Sequence, residues 1–165
     1  MAVYVDDIGI PAKVGALSGR WSHLIADDQA ELHAFAARLG LRREWFQDPT
    51  VNGKFKAAPG SRAAENWHYD VTASKRRLAL ELGAVAVSWR DLPAVIDARI
   101  RRRAIVAEFA ELARRAPEAE IHVRYDTVVA ELGEKAAAAL WDLAGELLEQ
   151  KAGDGQADVE GAGRC

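Results

Sequence analysis

Two short helices with marked beginnings and ends constrain this chain more than any other feature. Asp28 stands three residues before Glu31, a capping-box variant with aspartate as the cap. Leu32, Phe35, Ala36 and Leu39 then share one helical face as far as Gly40. Thr72 is a good N-cap for a second helix that runs through Leu82 and stops at Gly83. Short β-rich runs surround both helices, at residues 3–5, 23–26, 44–47, 67–70 and 84–88, the last being the clearest. From His23 to Ser88 the order is therefore strand–helix–strand–strand–helix–strand. That order predicts an α/β (α+β) fold with a small mixed sheet, followed by C-terminal helices.

The punctuation of the rest sets the expected organisation. Residues 8–20 hold Gly9, Pro11, Gly15 and Gly19 and read as a loop. Residues 48–66, with Pro49, Asn52-Gly53 and Pro59-Gly60, read as a long loop of the kind that forms lids and binding segments. Past Leu92 the pattern turns helical to a break at Pro117, with a brief extended piece at Ile121-His122-Val123. Residues 127–150 are largely helical, with Leu140, Trp141, Leu147 and Leu148 on one side, a candidate homodimer seam. The expected layout is a core domain at 3–90 carrying the site, a helical extension at 91–150 packed on it, and a Gly-rich disordered tail at 151–165.

Composition excludes several classes of function. The 165 residues carry a formal charge of −3, which argues against wholesale nucleic-acid binding. The basic run Arg99, Arg101, Arg102 and Arg103 reads first as a solvated face paired with Asp97, Glu108 and Glu111, and only second as a phosphate contact. The single cysteine, Cys165, makes no disulfide framework. No apolar stretch approaches the roughly 20 residues that span a bilayer, so no membrane partner is expected. The acidic opening residues do not read as a signal peptide, and the expected location is the cytoplasm.

Candidate chemistry gathers around His68-Tyr69-Asp70, which stands just ahead of a helix that opens with Lys75, Arg76 and Arg77. Cations in a first turn oppose the helix dipole at a cost of a few tenths of a kcal/mol each. A chain that accepts this cost is expected to bind a small anionic molecule there. Asp6, Asp7, His23, Asp27, His68, Tyr69 and Asp70 all fall where expected strands end or helices begin, the usual place for ligand sites in open sheets. Asp6, His68 and Asp70 are candidate metal ligands or acid–base groups, and a divalent metal is the candidate cofactor. His23 and Asp27 are expected to form an orienting pair. Lys75, Arg76 and the helix N-terminus are expected to hold the anion. Capping alone accounts for Asp28 better than a site role does, and for Asp27 about as well as a site role does.

In order, Val3-Tyr4-Val5-Asp6, Trp21-x-His23-Leu24-x-Ala26-Asp27, Glu31-Leu32-His33-x-Phe35-Ala36, Trp45-Phe46-Gln47, His68-Tyr69-Asp70, Ser74-Lys75-Arg76 and Gly83-Ala84 resemble a small bacterial and phage family, domain of unknown function 4031. The resemblance covers about residues 3–90. It implies no activity. It does imply that the polar members of the pattern belong together, which adds Gln47, His33 and Tyr69 as ligand-binding candidates. The link between Trp45-Phe46-Gln47 and His68-Tyr69-Asp70 is longer here than is usual in the family. The expected function is binding or hydrolysis of a phosphate-containing or nucleotide-like small molecule, with a metal as the candidate helper. The alternative is a non-catalytic binding module for a ligand or a protein partner.

Overall fold

The computed structural model describes residues 2–52, 56–115, 118–134, 137–138, 140–142 and 145. The chain divides into two compact units, residues 1–100 and 101–165. The tail expected at 151–165, with Cys165, lies outside the described residues, as do Leu147 and Leu148.

The first unit is a mixed six-stranded sheet with helices on it. Its elements are β1 (Val3–Val5), β2 (Ile10–Val14), β3 (Leu17–Ala26), α1 (Gln29–Arg38), β4 (Phe46–Gln47), β5 (His68–Thr72), α2 (Ala73–Glu81) and β6 (Val85–Ala86). The strand order is β4-β5-β3-β1-β6, and β2 pairs with β3 beside that path. Only the β1–β6 pair is parallel.

Residues 8–20, expected as a loop, are instead mostly a hairpin. Gly15 at φ +60° and Ala16 form a two-residue turn between β2 and β3, and glycine at the first turn position matches the twist of paired strands. The run expected as the clearest strand, 84–88, shrinks to an exposed two-residue edge strand.

The long strand β3 organises the sheet. Leu24 is paired with both Val5 and Tyr69, and Trp21 with both Ile10 and Thr72. The strands β1 and β2 thus share one edge of β3, while β5 takes the other. The interruption between β1 and β2 begins at Asp6, opposite His23.

Alternation divides the sheet into two faces. Val3, Val5, Leu24, Ala26, Phe46, Tyr69 and Val71 join Leu32, Phe35 and Ala36 of α1, its capping residue Leu39, and Ala79 of α2 in one buried core. Both helices begin as expected. The Asp28 side chain takes the Glu31 N–H at 2.8 Å, and that of Thr72 takes the Lys75 N–H. The opposite face carries Tyr4, Trp21, His23, Ile25, Gln47, His68, Asp70 and Thr72, by the same register.

Helix α3 (Leu92–Arg115) begins in this unit and supplies a buried cation. The Arg99 guanidinium is 2% exposed, lies 3.6 Å from the centroid of the Trp67 ring, and donates to the Ala26 carbonyl at 2.8 Å and to the Glu65 carbonyl. Arg99 is therefore not part of a solvated basic face. Among the carboxylates expected to pair with that run, Asp97 pairs with Arg62, Glu108 with Arg124, and Glu111 with Arg114 and Arg115. Arg99→Ala removes cation–π packing and strands two buried carbonyls. We expect a loss of about 2–4 kcal/mol in urea unfolding. A loss below about 0.5 kcal/mol, the usual range for a surface substitution, would contradict this placement.

In the second unit, Phe109 of α3 and Val128 of α4 (Glu118–Leu132) pack with Ala137 and Leu140. The expected extended piece at Ile121-His122-Val123 is helical and lies within α4. A helix lets backbone groups pair along the same segment, and three β-branched or aromatic residues are too few to override that. Leu140 and Trp141 are used inside this cluster, with the Trp141 ring 4.8 Å from that of Tyr125. None of the described helices is long and apolar enough to cross a membrane.

Candidate functional site

The site lies on the sheet face opposite the α1–α2 core, where β3, β4 and β5 place polar residues in register beside the end of β1. Asp6, just past β1, forms a row with His23 of β3 and Asp70 of β5, and Gln47 of β4 and His68 of β5 form a second row beside it.

Asp6 completes the ladder where β1 ends. Its backbone N–H donates to the His23 carbonyl at 3.1 Å, and its carboxylate takes the His23 backbone N–H at 2.9 Å in place of a carbonyl. The other carboxylate oxygen lies 2.6 Å from His23 Nδ1. Asp6 is fully buried. Burial pushes its carboxyl up, but the His23 ring, the His23 N–H and the imidazole charge outweigh that and hold it below the usual carboxylate value. The same hydrogen bond raises His23; burial opposes it, and the charges of Asp6 and Asp70 add to the rise.

His68 is held in the same manner by a different group. Its Nδ1 donates to the Asn66 carbonyl at 2.8 Å. Burial lowers its affinity for a proton and prevails over the Asn66 carbonyl, with the charge on His23 adding to the fall. The two imidazoles meet edge to face with centroids 4.9 Å apart. With both Nδ1 atoms engaged, each Nε2 keeps its lone pair for a metal ion or an incoming proton. His68 Nε2 is 3.6 Å from Asp70 Oδ1, while Gln47 Nε2 donates to Asp70 Oδ2 at 2.6 Å. One donor atom each from His23, His68 and Asp70 lies within 4.8 Å of the others.

Of the residues expected from sequence, Asp6, His23, His68, Asp70 and Gln47 come together here. Asp6 stands behind His23 rather than among the converging donors. The pairing expected of His23 with Asp27 does not form: Asp27 takes the Ala2 N–H at 2.8 Å, beyond the end of β3. Tyr69 and His33 meet each other at 3.1 Å on the core side of the sheet. Burial lowers His33 and raises Tyr69. Lys75 Nζ donates to the Leu39 carbonyl at the end of α1, and Arg76 Nε to the Asp6 carbonyl, both at 2.5 Å. Two positions escaped sequence reasoning. Asn66 acts through its backbone carbonyl, which no side-chain motif announces. Arg20 lines a cleft of about 800 Å³ that also contains Asp70, Gln47 and Lys75.

Fold and site define a small α/β protein with a two-histidine, one-carboxylate cluster on one face of a mixed sheet. The chain belongs to the DUF4031 family, proteins of unknown function, whose sequence profile matches residues 3–99. No curated protein and no solved structure matches the chain significantly.

Proposed function

We propose that the protein is a divalent-metal-dependent hydrolase of phosphate esters, with His23, His68 and Asp70 as the metal ligands. One observation carries this reading: three donors converge, and each is fixed from behind, His23 by Asp6, His68 by the Asn66 carbonyl and Asp70 by Gln47. Outer partners of this kind set the tautomer and direction of ligating imidazoles. Three protein ligands leave coordination positions open, the mark of catalytic rather than structural sites. A mixed imidazole–carboxylate set suits zinc, manganese or ferrous ion.

A metal held here would supply an activated water and polarise a phosphoryl oxygen. In the reaction the water oxygen bonds to phosphorus, the ester P–O bond breaks, and one water proton ends on the released alcohol. Lys75 and Arg20, which line the adjoining cleft with Asp70, supply the positive charge that draws a phosphate toward the triad.

The test is hydrolysis of phosphomonoesters and diesters by protein loaded with zinc or manganese. Turnover that chelation and Asp70→Ala both abolish is expected. Tight metal binding with no turnover on any ester would favour the non-catalytic binding module.

Protons compete with the metal in a stated order. The pKa of His23 is raised above its ordinary 6.5, so one proton competes first as pH falls. That of His68 is lowered, so the second competes only further down. Metal affinity measured from about pH 8 to about pH 5 should fall as pH drops through the raised His23 value, and more steeply once His68 also takes up a proton. A flat profile would contradict imidazole ligation.

A further inference from the structure

We infer that the cleft beside the triad binds the organic part of the substrate, and that this part is a planar aromatic group. The proposed class of substrate is a phosphate ester whose organic part carries a planar aromatic ring, as the base does in a nucleoside monophosphate. The inference rests on the metal-dependent reading for the place of the phosphate, but the cleft itself is an independent observation.

The cleft's volume of about 800 Å³ is within the range of small-molecule sites. Its apolar wall includes Val14 and Leu17 at the hairpin turn and two indoles, Trp21 and Trp45. Three of these residues are unusually open to solvent: Val14 is 57% exposed, Leu17 63% and Trp45 50%. Trp21 is held in place, its indole N–H donating to the Ala12 carbonyl at 3.2 Å. Trp45 is backed by Arg42, whose guanidinium carbon lies 5.5 Å from the ring centroid.

Charge is distributed to match an ester with one apolar and one anionic end. Arg20 and Lys75 line the same cleft, and Asp70 and Gln47 join it to the triad. A phosphate at the triad therefore leaves its organic group against the indoles. Tryptophan faces favour flat π-systems over flexible aliphatic groups.

The experiment uses the full-length chain, with and without zinc. Calorimetry would compare adenosine 5′-monophosphate and 1-naphthyl phosphate with glycerol phosphate and inorganic phosphate. Both aromatic esters should bind about tenfold tighter than glycerol phosphate, and Trp45→Ala should remove that preference while leaving zinc affinity unchanged. Preference for the nucleotide over the naphthyl ester would identify a nucleotide site; equal affinity would identify recognition of the ring and phosphate alone. Equal binding of aromatic and glycerol esters, or a preference that survives Trp45→Ala, would overturn the inference. If zinc does not bind but the aromatic preference persists, the metal-dependent reading falls and the cleft assignment stands. Absence of binding by every phosphate, in both zinc conditions, would overturn the cleft assignment.

Discussion

Replacing His68 with alanine is expected to lower the affinity for the proposed divalent metal by at least about 100-fold, the upper end of the loss seen when even an outer partner of a metal ligand is removed. The expectation follows from the geometry of the ring. Nδ1 is occupied by the Asn66 carbonyl, and Nε2 is left beside Asp70 and His23. The ring also forgoes its charge more readily than an ordinary histidine, because burial disfavours the protonated form. Removal should leave the fold in place, since the hydrogen bond lost is to a carbonyl next to a partly open site. The check is competition with a metal-sensitive dye, alongside thermal unfolding of the metal-free protein. Unaltered affinity in a folded variant would take His68 out of the ligand set.

Replacing Asp6 with alanine has the largest expected effect on stability, about 3–5 kcal/mol. The carboxylate is fully buried and serves two hydrogen bonds to His23, one to the ring and one to the backbone N–H that no strand carbonyl reaches. Alanine leaves both donors without their acceptor. Arg76 is fastened to the carbonyl of the same residue, so local slippage would also loosen α2. The effect depends on pH in a definite direction. The lowered Asp6 contributes stability above its ordinary 3.8, and that contribution is lost as pH falls through its folded value. The raised His23 contributes fully below its ordinary 6.5, and its share is lost as pH rises through its folded value. The difference between wild type and Asp6→Ala in urea unfolding should therefore peak between those limits. A difference under about 1 kcal/mol at that peak would mean that Asp6 is not the anchor of the site.

The sequence carried the helices and much of the site, but its local signals pointed His23 at the wrong partner. Asp28, Thr72, Gly40 and Gly83 mark helix ends through local hydrogen bonding and backbone freedom, so they are legible residue by residue. His23 and Asp27 are close in sequence, which is what suggests a pair. Along an extended strand, however, four residues span about 13 Å. Cross-strand register instead brings in Asp6, which is remote in sequence, and register depends on the whole sheet.

The hairpin of β2 and β3 was obscured because its glycines read as loop. One of them, Gly15, is what lets the turn close with the correct twist. Tyr69 is contiguous with His68 and Asp70 in sequence, yet strand alternation alone sends it to the other face with His33. Asn66 contributes only a carbonyl, and the identity of its side chain carries no signal of that.

The most direct test of the central claim is X-ray absorption spectroscopy of the full-length protein loaded with one equivalent of zinc. The expected spectrum is that of an ion bound by two imidazoles at about 2.0–2.1 Å, with oxygen donors completing the set. Failure of the protein to retain zinc, or a bound ion with no imidazole scattering, would contradict it.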